Sequence, residues 1–187
     1  MNGIDPNPFA TFPPAVRTEH FTVSKVALAI RAVSKTKLYG AAVPPLTYTV
    51  TGFVLGETES ALITPVQISS AGNASSPVGS YPVTVSGATA ANYSLAFYPA
   101  TLGVTKAPLS VIAENLTRSF GAPNPPLTYS FNGFVNGDTE ASLDVPVAIS
   151  TTALAASPVG NYYITPSGAL DANYTISFVR GILTIIP

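Results

Sequence analysis

The chain has no cysteine and no tryptophan, and a single histidine and a single methionine. Without cysteine, a disulfide scaffold and a Cys-ligated zinc site are excluded. Charge is scarce as well. Only 9% of residues are Asp, Glu, Lys or Arg, against about 25% in an average soluble domain. Eight basic and nine acidic residues leave a net charge of −1. The basic residues are scattered and form no patch that tracks phosphates, so nucleic acid is not an expected partner. No apolar run approaches the roughly 18 residues of a membrane span. The first residues, Met1-Asn2-Gly3-Ile4-Asp5-Pro6-Asn7-Pro8, lack the charged and apolar regions of a secretory signal. A hydrolase triad needs a base beside its nucleophile. His20 is the sole histidine and lies in a leader, so no enzyme activity and no cofactor are expected.

What the chain does have is apolar and turn-forming. Of its 187 residues, 47% are hydrophobic, with nine Tyr and nine Phe, 18 Pro and 14 Gly. That is enough to fill a core, which sets the chain apart from disordered segments. It is also the composition of many short strands separated by turns.

The sequence is one unit written twice. An offset of 81 residues lays 25–105 on 106–186 without a gap, and about 37 of the 81 facing pairs are identical. Tyr39-Gly40 faces Phe120-Gly121, and Pro44-Pro45-Leu46-Thr47-Tyr48 faces Pro125-Pro126-Leu127-Thr128-Tyr129. Gly52-Phe53-Val54, Ser76-Pro77-Val78-Gly79, Ser86-Gly87-Ala88 and Asn92-Tyr93 all recur one period on. The expected organisation is a leader over 1–24, a first copy over 25–105 and a second over 106–187. Phe21-Thr22-Val23-Ser24-Lys25 stands in the register of Leu102-Gly103-Val104-Thr105-Lys106. It reads as the last strand of a preceding copy, and the chain as a stretch of a longer tandem array.

Within each copy, apolar residues alternate with a period of two. The runs are Leu28/Ile30, Leu46/Tyr48/Val50, Val66/Ile68, Tyr81/Val83/Val85 and Leu95/Phe97, each with a counterpart 81 residues later. The expected core is Leu28, Ile30, Tyr48, Val66, Ile68, Val83, Leu95 and Phe97. Its counterpart is Leu109, Val111, Tyr129, Val147, Ile149, Ile164, Ile176 and Phe178. One segment breaks the pattern: Glu57–Leu62 and Asp138–Leu143 place acids and Thr first and Ala or Leu behind, as in a turn of helix. Strands with one short helix in about 80 residues predict a mainly β chain of two β-grasp-like modules. The alternative is an immunoglobulin-like sandwich.

These residues carry a resemblance. Tyr39-Gly40, then Pro44-Pro45-Leu46-Thr47-Tyr48, Gly52-Phe53-Val54, Gly56-Glu57-Thr58, Ser76-Pro77-Val78-Gly79 with Tyr81, Ser86-Gly87 and Ala91-Asn92-Tyr93 resemble the MBG repeat of YGX type. The second copy departs by placing Phe120 where the pair has Tyr. The resemblance implies an extracellular β-rich module found as tandem copies in bacterial surface and secreted adhesin-like proteins. It brings no active site with it.

Candidate chemistry is thin. Asn136, Asp138 and Glu140 alternate in the second copy, as calcium-ligating oxygens do, but the first copy has Leu55 in place of Asn136. Helix N-terminal acids are the simpler reading, and no metal is expected. An isopeptide crosslink would need Lys106, Asn173 and Glu114 together, and the first copy has Val33 where the acid would stand. Asn73, Asn92, Asn115 and Asn173 open Asn-x-Ser/Thr sequences and are read as turn residues. Tyr39, Tyr48, Tyr98, Tyr129 and Tyr163 are candidate sugar-stacking rings, with Tyr48 and Tyr129 better placed for the core. The expected function is a semi-rigid spacer in a bacterial surface or secreted adhesin, outside the cell, with neighbouring repeats as its partners. The alternative is a module binding a glycan or a surface protein. Lys106-Ala107-Pro108 joins the copies with no flexible spacer, which predicts an end-to-end pair with little bending.

Overall fold

The computed structural model describes residues 21–187. The first copy forms nine strands: β1 (Val26–Ala32), β2 (Lys35–Leu38), β3 (Tyr48–Thr51), β4 (Leu62–Thr64), β5 (Gln67–Ser70), β6 (Gly79–Ser86), β7 (Thr89–Ala90), β8 (Tyr93–Tyr98) and β9 (Ala100–Thr105). The second forms β10 (Ala107–Ala113), β11 (Leu116–Ser119), β12 (Tyr129–Asn132), β13 (Ala148–Thr151), β14 (Gly160–Ser167), β15 (Tyr174–Val179) and β16 (Gly181–Ile186). The small β4–β7 ladder is reduced there to one bridge, Val145 to Leu170.

Each copy builds a three-stranded and a four-stranded sheet. Their orders are β3-β1-β8 and β2-β9-β6-β5, repeated as β12-β10-β15 and β11-β16-β14-β13. The pairs β1–β8 and β2–β9 are parallel, while the ladders β1–β3, β6–β9 and β5–β6 are antiparallel. Only Val33-Ser34 separates β1 from β2, and only Pro99 separates β8 from β9. The first and last stretches of the unit therefore run side by side, bend together and pass from one sheet to the other. Pro99 has no N–H to give a ladder, which suits it to the bend.

The alternating residues fill the space between the sheets. Leu28, Ile30, Val83 and Leu102 are buried in the first copy, as are Leu109, Val111, Ile164 and Leu183 in the second. Tyr48, Ile68, Leu95 and their counterparts are half-buried. Gly52 and Gly133 let β3 and β12 leave their sheets close to β1 and β10. They sit at φ +112° and +116°, where a Cβ would lie 2.4 Å from the Ala27 carbonyl oxygen or 2.5 Å from that of Pro108.

Three expectations are corrected. Phe97 and Phe178, expected inside, are 38% and 39% exposed. Burial along β8 falls from Tyr93 through Leu95 to Phe97, because the edge strand outruns the core that covers its start. The expected helix is only a three-residue 3₁₀ turn, Glu59–Ala61 and Glu140–Ser142. Thr58 Oγ1 accepts from the Ser60 N–H at 3.4 Å, which suffices to cap so short a turn. Residues 21–25 form no strand. Their counterpart β9 is held by β2 and β6 of its own copy. The rest of the leader lies outside the described residues.

Candidate functional site: the joint between the copies

Only Lys106 separates β9 from β10. The joint is closed by the Tyr-Gly turn that follows β2. The Tyr39 N–H donates to the Thr105 carbonyl at 2.8 Å, which continues the β2–β9 ladder up to the joint. The next residue, Gly40, has φ +76° and packs its backbone on Val135 of the second copy. A Cβ there would lie 2.4 Å from Val135 Cγ2, so only glycine fits.

Lys37 fixes this turn from behind. Its side chain is buried, and its ammonium donates to the carbonyls of Ala41 at 3.1 Å and Ala74 at 2.9 Å. The Tyr-Gly turn is thereby tied to the loop before β6. Burial holds the Lys37 pKa below its ordinary value. Arg118 does the same in the second copy, donating from Nε to Asn124 Oδ1 at 2.8 Å and from Nη2 to the Leu154 carbonyl. Neither cation was singled out from sequence. The signal was there: a basic residue recurs at one inward position of a strand, 81 residues apart.

The Tyr39 side chain enters the second copy and is only 8% exposed. It joins Val104, Ala107, Leu109 and Tyr174 in one apolar cluster. Its ring stands edge-on to Tyr174, centroids 5.5 Å apart, and Phe134 meets Tyr174 the same way at 5.6 Å. Edge-to-face pairs add about 0.5–1.5 kcal/mol beyond the area they bury. The Tyr39 hydroxyl donates to Asp138 Oδ2 at 3.0 Å, and the Tyr174 hydroxyl donates to the same oxygen at 2.7 Å. A second link crosses nearby, where the Val78 N–H donates to Asn173 Oδ1 at 2.9 Å. The Tyr174 phenol is pushed up to about 12, first by burial and then by its bond to Asp138, with the Val135 N–H donating to it and pulling the other way.

Of the sequence candidates, Tyr39, Asp138 and Asn173 meet at this joint. Asp138 accepts the two phenols, and Glu140 accepts from the Tyr129 hydroxyl. Asn136 occupies a turn at φ 55°. Among the described residues no group of three or more His, Cys, Asp or Glu side chains could hold a metal ion. Lys106 donates to the Asp171 carbonyl at 2.9 Å, Glu114 accepts from Ser130, and Asn173 serves the joint, so each member of the imagined crosslink has another partner. Asn73 and Asn115 accept backbone N–H groups from Ser75 and Ile182. Of the candidate sugar-stacking rings, Tyr39 is buried at the joint, while Tyr48 and Tyr129 are half-buried and donate to Glu59 and Glu140. Tyr98 lies under the Arg31 guanidinium at 3.8 Å, and Tyr163 is 61% exposed, 5.3 Å from Arg180. Neither exposed ring recurs in the other copy, where Val179 and Pro82 stand.

This arrangement holds two units together. The Tyr174 phenol, pushed up to about 12, keeps its proton and donates it to Asp138. Among the described residues no helix is long and apolar enough to cross a membrane. No curated protein matches the chain. A family model described as the MBG domain (YGX type) matches it twice, over residues 28–103 and 109–184. That family is not known for enzymes. The chain belongs to the MBG domain family of YGX type, as two tandem copies.

Proposed function

We propose that the chain is a non-enzymatic spacer of an extracellular bacterial surface or secreted adhesin, adding length through copies joined with little freedom. The observation that supports this most is the joint itself. One residue lies between β9 and β10, and the ring of Tyr39 is buried in the next copy. A link of one residue spans at most about 3.6 Å, and a buried ring with its hydrogen bond to Asp138, beside the Val78-to-Asn173 bond, resists rotation about it. Stacking of units through nearest-neighbour interfaces is the logic of repeat proteins. The unit boundaries at 24/25 and 105/106 belong to the same reading. So does a β-grasp-like fold, supported by the parallel pairing of β1 with β8 and of β10 with β15 and by the 3₁₀ turn that follows β3 and β12. The non-recurring exposed rings argue against a repeated glycan site.

The test uses spin-label distances. The chain has no cysteine, so Ser94→Cys with Thr175→Cys gives one label at equivalent exposed positions in each copy. A narrow distance distribution that broadens in Tyr39→Ala is expected. A broad distribution in the otherwise unchanged chain would refute the spacer.

A further inference from the structure

The two outer ends of this pair carry the two halves of the joint. At the far end, Phe120-Gly121 repeats Tyr39-Gly40, and Arg118 ties its turn down as Lys37 does. Phe120 is 57% exposed. Gly121 has φ +79°, close to that of Gly40, and nothing within 4 Å of where its Cβ would stand. Val159 and Ile186, the counterparts of Val78 and Thr105, are exposed beside it.

At the near end a cleft of about 470 Å³ opens on the first copy. Lys25, Val54, Glu57, Asn92 and Tyr93 line it. Their counterparts are Lys106, Val135, Asp138, Asn173 and Tyr174, four of which touch the first copy across the joint. The internal order is the same too. The Tyr93 hydroxyl donates to Glu57, the Val54 N–H donates to Tyr93 at 3.2 Å, and Phe53 meets Tyr93 edge-on at 5.5 Å. Val23 and Ser24 line the cleft where Val104 and Thr105 would stand in the joint register.

We propose that this cleft is a docking site for the Phe120-Gly121 turn of a second copy of the chain. The pairing is head to tail: Phe120 packs on Tyr93, Gly121 lies against Val54, and the Val159 N–H donates to Asn92 Oδ1. The two surfaces differ, so the interface is heterologous and leads to an open row of molecules rather than a closed dimer. The partner follows from continuity with the joint inside the chain, where every one of these contacts exists in its counterpart. One contact is lost in this pairing. Phe120 has no hydroxyl for Glu57, which makes association weaker than the joint chemistry allows. The proposal is independent of the spacer reading, because it concerns the two outward faces and not the stiffness between copies.

Sedimentation analysis of the full chain over a concentration series tests it. Concentration-dependent association is expected. Phe120→Tyr restores the hydroxyl and tightens association about tenfold, as expected for a hydrogen bond to a carboxylate. Phe120→Asp and Val54→Asp each abolish it, and Asn92→Ala, which leaves the core untouched, weakens it. Mixing the Phe120→Asp and Val54→Asp chains regenerates a one-to-one complex, since each keeps one sound end. Three results would overturn the proposal. The chain and Phe120→Tyr could both stay monomeric at millimolar concentration, or association could survive Phe120→Asp. Association could also emerge only when residues 1–20 are removed, which would make the leader the occupant.

Discussion

Asp138 offers one carboxylate oxygen to two phenols, and each bond has its own consequence. Tyr39→Phe removes the bond across the joint and keeps the ring. It should lower stability by about 1.5–3 kcal/mol, the range for a hydrogen bond to a charged group. Tyr39→Ala removes the ring as well and should cost about 3 kcal/mol or more. Phe120→Ala, at the matching but exposed position, should change monomer stability by no more than about 0.5 kcal/mol. Denaturant unfolding of the three variants at low protein concentration checks the order. The other bond is read by pH. The Tyr174 phenol titrates at about 12 in the folded chain and near 10 when unfolded. Between those values the folded state holds the extra proton, so stability is fully present below pH 10 and falls as pH rises toward 12. Lys37 works in the opposite sense. Its folded value is lowered by burial, so its share of stability rises with pH up to about 10.5. Absorbance titration at alkaline pH should show a tyrosine ionising near 12, and Asp138→Asn should move that step to lower pH.

At the scale of elements, the turn before the 3₁₀ segment separates the copies. Leu55 and Gly56 have φ 57° and 74°, and Asn136 and Gly137 have φ 55° and 80°. Two consecutive positive φ values favour Asn-Gly and disfavour leucine, whose Cβ is crowded in that region. Leu55 is also 96% exposed, so no packing offsets the strain. Leu55→Asn should therefore stabilise the first copy by about 0.5–1 kcal/mol, measured as a rise in its melting temperature. The strand faces could be read in advance, since period two puts Leu28 with Ile30 and Leu109 with Val111 on one side, and all four are buried. Alternation tells a face but not how far the opposite sheet reaches, which is why Phe97 and Phe178 were placed wrongly. The segment was legible as a single turn but not as a 3₁₀ one, because acids and Thr mark a helical start without saying whether i→i+3 or i→i+4 bonds follow. Tyr39 was seen only as an exposed ring. Its place in the neighbouring copy depends on contacts far along the chain, Asp138 lying 99 residues away, beyond the reach of any local pattern.

For the whole molecule, the question is whether the two copies unfold as one. Each unit is about 80 residues, a size at which only about 60–65% of the chain surface is buried and stability is marginal. In a row of such units, total stability is the sum of unit terms and nearest-neighbour terms, and cooperativity depends on the latter. Here the neighbour term is concentrated in one buried ring, its hydrogen bond to Asp138, the Val78-to-Asn173 bond and the packing of Gly40 on Val135. If the second copy unfolds, Tyr39 loses its whole seat and becomes an exposed aromatic like Phe120. The first copy then loses several kcal/mol at once, which is comparable to the stability of a unit of this size. The chain should therefore melt in a single calorimetric transition whose van't Hoff and calorimetric enthalpies agree. Tyr39→Ala should split that transition in two, because each copy keeps its own core of Leu28 and Ile30 or Leu109 and Val111 while the coupling is gone. Gly40→Ala should split it as well, since its Cβ would push Val135 away, whereas Gly121→Ala, equally strained in φ but facing open space, should lower the melting temperature without dividing the transition. Two resolved transitions in the unaltered chain would show that the joint transmits no stability.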